Sequence, residues 1–96
     1  MTQRNQFGRA LKFARSVKGM SQEAFGDVSS RTYVSTLERG VYTPTLDKVE
    51  ALAGAMGIHP LTLITLAYAE PVDAGAVDAL LQEVRQDVAR LLSKQG

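Results

Sequence analysis

Residues 21–40 read SQEAFGDVSSRTYVSTLERG, and the way this stretch divides decides the fold. Ser21 is a good N-cap, and Glu23 and Asp27 suit the early part of a helix because they oppose its positive end. Phe25 and Val28 lie three apart and share a face, while Gly26 lets a neighbouring backbone come close. After a tight serine turn, Ser29 or Ser30 caps a second helix in which Val34 and Leu37 form a narrow apolar stripe. Gly40 closes that helix as the left-handed residue. A helix this short is not stable alone in water, so its stripe must dock on the rest of the chain. Arg31, Thr32, Ser35 and Thr36 then stand outward on one ridge.

Such a ridge is either the wet face of an ordinary helix or a reading head for DNA. The major groove admits one helix and is read there by side chains with defined donors and acceptors. Arg pairs bidentately with guanine; Thr and Ser bond several bases, and Thr also touches the thymine methyl. The flanking sequence decides between the two readings.

The runs GMSQEAF, SRTYVSTLERG and TPTLDKVEALAGAMGI, in that order, resemble the Cro/repressor-type (XRE) helix-turn-helix family over residues 7–66. The resemblance implies an all-α domain of about five helices with residues 31–39 as the recognition helix. Carried over by position, it implies base reading by Arg31, Thr32 and Thr36, with Ser35 as a fourth, and a DNA phosphate held at Gln22. A phosphate at the start of that helix is also sound physically, because free N–H groups and the helix dipole favour an anion there. The resemblance also implies further phosphate contacts from Arg39 and the loop after Gly40, and an inward-facing ion pair between Arg15 and Glu38. The chain departs from the family in one place: Val28 runs straight into Ser29 and Ser30, about two residues short of the usual Gly-containing turn. The second helix must end early or the turn must tighten, which bears on the tilt of the recognition helix.

The first helix is expected over residues 6–18, with Phe7, Leu11, Ala14 and Val17 on its apolar face and Gly19 ending it. Before it lies a polar arm, residues 1–5, in which Arg4 either reaches the DNA backbone or belongs to a frayed terminus. After Gly40, Tyr42 and Thr43 can donate to a phosphate, and Tyr42 serves equally well as a cover for the core edge. Thr45 caps a fourth helix whose stripe is Leu46, Val49, Leu52, Ala53 and Met56, closed by Gly57. Pro60 opens a fifth, with Leu63, Ile64 and Leu66 for burial. A DNA-binding domain is thus expected over residues 1–69, with a connector over 70–75.

Residues 76–96 hold one more helix. Val77, Leu81, Val84, Val88 and Leu91 follow a 4-3-4-3 spacing, and Leu80 and Leu92 widen the stripe. It either packs back on its own domain or pairs with a second copy. Dimerisation is favoured, because the five-helix unit is already complete and a leftover apolar stripe needs a partner.

Charge follows the same division. Residues 1–40 contain seven Lys or Arg against three acids, a balance of +4, which leaves −3 for the remainder of a chain whose net charge is +1. The excess sits in the half holding the ridge, as a phosphate-facing surface requires. With no cysteine and one histidine (His59, placed to cap before Pro60), neither a metal site nor a cofactor is expected. The absence of a phosphate loop and of paired carboxylates argues against an enzyme. No apolar run is long enough to span a bilayer, so a soluble, cytoplasmic protein is expected. The expected function is a dimeric repressor or autoregulator on an inverted repeat of double-stranded DNA. The alternative is an antitoxin or other module whose C-terminal helix binds a second protein.

Overall fold

The computed structural model describes residues 6–95 and is all-helical there: α1 (Phe7–Val17), a 3-10 turn (Gln22–Phe25), α2 (Arg31–Glu38), α3 (Leu46–Met56), α4 (Pro60–Tyr68) and α5 (Ala74–Gln95). Residues 1–5, with Arg4, lie outside the described residues. α1 packs on α2 and α4, and α3 packs on α4. Between them Leu11, Phe25, Val34, Leu37, Leu52 and Leu63 are fully buried. Each is worth roughly 1.5–3 kcal/mol relative to exposure.

The short linker is accommodated by shrinking the second helix. It is one 3-10 turn rather than an α-helix, and the amides of Val28 and Ser29 both donate to the Phe25 carbonyl, at 2.8 and 2.7 Å. Ser21 makes no side-chain cap. Ser30 does cap α2, its Oγ accepting from the Tyr33 N–H, and Thr45 caps α3 in the same way by accepting from Lys48. His59 accepts the Leu61 N–H on Nδ1 at 3.0 Å, ahead of Pro60. α5 begins two residues earlier than its stripe implies, because Asp73 caps it by accepting from the Ala76 N–H at 2.8 Å.

Two residues of the expected core stripes are exposed, and Ile64 and Leu66 are only half-buried. Val17 and Leu46, each 72% exposed, sit in terminal turns that overshoot the core. Phe13 is half exposed and covers a shallow hollow shared with Ala10, Leu66 and Val72. The close backbone approach expected at Gly26 occurs instead at Gly8. A Cβ there would lie 2.4 Å from the Leu37 carbonyl oxygen and 2.8 Å from that of Glu38. Gly8 therefore lets α1 lie against the C-terminal end of α2.

Arg9 ties the ends of the domain together. Its Nη2 donates to the carbonyls of Leu66 and Ala69, both at 3.2 Å, and its Nη1 meets Glu70 at 3.0 Å. It thus occupies carbonyls that α4 leaves open at its C-terminus. α5 extends from this point and contributes no buried residue. No single helix is long and apolar enough to cross a membrane.

Candidate nucleic-acid interface

α2 is held from beneath and open above. Val34 and Leu37 are fully buried, whereas Arg31 and Thr32 are exposed and Ser35 and Thr36 half-buried. At 100° per residue Arg31, Thr32, Ser35, Thr36 and Arg39 fall within one arc, opposite the buried pair. The residues expected to read bases are therefore gathered on a single ridge.

An internal network fixes the ridge against α1. Arg15 Nε donates to Glu38 Oε2 at 2.6 Å and Nη2 to Oε1 at 3.0 Å, while Nη1 bonds the Met20 carbonyl at 2.9 Å. The pair is shielded, with side chains 14% and 5% exposed. The hydrogen bond to Glu38, helped by its charge and opposed by burial, holds Arg15 above the ordinary arginine range. Gln22 donates to the same carboxylate at 3.1 Å. One of its amide hydrogens is therefore spent inside the fold, leaving the other and the backbone for an outside acceptor.

Partners already present limit what the ridge can offer. Thr36 Oγ1 donates to the Tyr33 carbonyl at 2.7 Å, so towards a base it presents lone pairs and a methyl rather than a donor. Arg31 Nε lies 4.0 Å from Glu23 Oε2, with both side chains about two-thirds or more exposed; such a pair is worth at most about 1 kcal/mol and yields readily. Arg39 rests its Nε on the Ser35 carbonyl at 3.4 Å and keeps an exposed guanidinium.

Tyr42 and Thr43 are both exposed in the loop after α2. The Tyr42 ring stacks on Tyr33 at 6.1 Å between centroids, 21° from parallel. Lys48 completes this cluster unannounced by the sequence, where it reads as the wet face of α3. Its ammonium lies 5.1 Å from the Tyr33 centroid and donates to the Val28 carbonyl at 2.9 Å. That bond fastens the shortened turn to α3. The charge excess is also partly internal: Arg9 and Arg15 are committed within the fold, which leaves Lys12, Lys18, Arg31 and Arg39 exposed. Among the described residues no group of three His, Cys, Asp or Glu converges to hold a metal.

Leu61 and Tyr68 on α4 are each 60% exposed, beside the buried Leu63 and Ala67. Their outward position depends on how α4 lies on α1 and α3. On α5, Leu81, Val84, Val88, Leu91 and Leu92 are exposed, while Val77 and Leu80 are half-buried where the helix leaves α4.

A family model described as helix-turn-helix matches residues 11–63. The control protein C.BamHI of Bacillus amyloliquefaciens is 39% identical over 61 residues, covering 60% of this chain and 75% of that protein. The immunity repressor protein of Bacillus phage phi105 is 27% identical over 93 residues, 86% of this chain, which spans 65% of the repressor's length. Among solved structures, the restriction-modification controller protein C.AhdI from Aeromonas hydrophila superposes with a TM-score of 0.57 and 37% identity, over 60% of this chain and 91% of that one. With its ridge, its buried ion pair and these relatives, the chain belongs to the helix-turn-helix family of DNA-binding transcription regulators, of the Cro/repressor (XRE) type.

Proposed function

We propose that this chain is a homodimeric repressor or autoregulator that acts in the cytoplasm on an inverted repeat. Each copy places α2 in a major groove, and two such grooves on one face of the duplex lie about 34 Å apart. Arg31, Thr32, Ser35 and Thr36 read bases, while Gln22, Arg39, Tyr42 and Thr43 hold phosphates and fix the register. One observation carries this reading: the four polar side chains stand on the single face of α2 opposite Val34 and Leu37, rigidly backed by the Arg15–Glu38 pair. The relatives, a control protein, an immunity repressor and a controller protein, accord with a regulatory role. The dimer contact is assigned to α5, where of Val77, Leu80, Leu81, Val84, Val88, Leu91 and Leu92 none is fully buried by its own domain and only Val77 and Leu80 are half-buried.

Selection of bound duplexes from a random library, with the full chain and with a chain ending at Glu70, tests the proposal. Among the described residues every buried one lies at or before Ala69, so the shortened chain keeps its core. The full chain should recover an inverted repeat, and the short one single half-sites or nothing. Failure to enrich any sequence at low salt would discard the base-reading assignment. Co-purification of a foreign protein on α5 would favour the partner-binding alternative.

A further inference from the structure

We propose that the second copy docks on α5 in antiparallel orientation, its C-terminal half entering the groove between α4 and α5. This deepens the dimer reading above and rests on it. The spacing of Val77, Leu81, Val84 and Val88, 4-3-4, is the same in both directions. Reversing one helix about the midpoint of Gln82 and Glu83 brings Val77 level with the partner's Val88 and Leu81 level with its Val84.

Charge runs the same way. Residues 74–84 carry two acids and no base, while residues 85–95 carry three bases and one acid. Adaptation to the helix dipole does not explain this, because that effect fades within the first and last turns. The first turn of α5 holds no acid, and of the bases only Lys94 lies in the last turn. Arg90 is paired with Asp87 on its own helix. Among the described residues Asp78 and Arg85 form no ion pair, and they stand a heptad apart on one flank of the stripe. An antiparallel partner reverses that order and sets each Asp78 beside the opposing Arg85. A parallel partner sets this flank against Leu80 and Asp87 and gives no such match.

The packing of α4 points to the same orientation. Leu61, Ile64 and Tyr68 of α4 face Leu80, Leu81 and Val84 of α5 across an apolar groove of about 290 Å³. That groove lies beside the N-terminal half of α5, where an antiparallel partner lays its exposed Val88 and Leu91. In a parallel pair these residues meet their own counterparts beyond both domains and leave the groove unfilled. Antiparallel pairing also puts the two points where α5 leaves its domain roughly 30 Å apart, at 1.5 Å per residue, on the scale of one turn of DNA.

The chain contains no cysteine, so Ser93→Cys gives one attachment point for a spin label at an exposed position. In the full-length dimer the label-to-label separation should be about 30 Å, whereas about 10 Å would overturn the orientation in favour of a parallel pair. A monomer at high protein concentration would overturn the dimer reading itself. Independently, Asp78→Arg and Arg85→Asp should each weaken self-association several-fold, and an equimolar mixture of the two variants should form a heterodimer at the original affinity. No recovery in the mixture would overturn the pairing of these flanks.

Discussion

In the proposed reading specificity rests most on Arg31, since it opens α2, is exposed, and is released from Glu23 at little cost. Arg31→Ala is expected to lose about 1–3 kcal/mol on the best site and to relax one base position, as read by repeating the selection with the variant. A uniform loss on all sequences would make Arg31 a phosphate contact. Gly8 is the corresponding residue for the fold. A methyl at Gly8 meets two backbone carbonyl oxygens that cannot yield without moving α1 from α2. Gly8→Ala should therefore destabilise by about 1–3 kcal/mol in urea unfolding. Gly54 is the control: an added Cβ meets nothing within 4 Å in mid-α3, so Gly54→Ala should stabilise by about 0.5–1 kcal/mol. The sequence marks these two glycines alike, because what separates them is a helix brought near by the tertiary fold. The ends set by local chemistry, at Ser30, Thr45 and Gly57, were legible for the opposite reason: a cap is made by residues three apart or by one left-handed backbone.

Among the elements, the 3-10 turn shows how far helical pattern reading reaches. Propensity and charge favour an α-helix from Ser21, yet the missing turn residues force the chain down to Ser29 within one turn. The Phe25 carbonyl and Lys48 stabilise that contraction, and neither partner is visible in sequence order. Val17 and Leu46 miss the core because periodicity gives the face of a helix but not the point at which its neighbour ends. α2, for its part, is seated by one buried carboxylate. Arg15→Ala would strand Glu38 at 5% exposure with only Gln22 as a bonding partner. Removing one member of so shielded a pair costs about 3–5 kcal/mol, which chemical denaturation should record. The loss should appear even without DNA, since it precedes any groove contact.

For the whole molecule, the distribution of charge matters more than its sum. A net charge of +1 gives little general attraction for DNA, and two of the seven basic residues in the first forty are bound within the fold. In the proposed reading affinity comes from a few placed cations on each copy, doubled by dimerisation. Each phosphate neutralised contributes about −0.9 to the slope of log affinity against log salt. Arg39→Ala should weaken all sequences alike and make the slope about 1 shallower for each half-site, or about 2 for the dimer on an inverted repeat. The chain ending at Glu70 should show only the half-site slope, because it keeps the ridge and loses α5. Titrations of the three proteins across a salt series separate these cases. An unchanged slope for Arg39→Ala would place that guanidinium away from the backbone. Equal slopes for the full and shortened chains would mean that one copy, not two, meets the duplex, and would remove the reason for assigning the α5 stripe to a second copy on DNA.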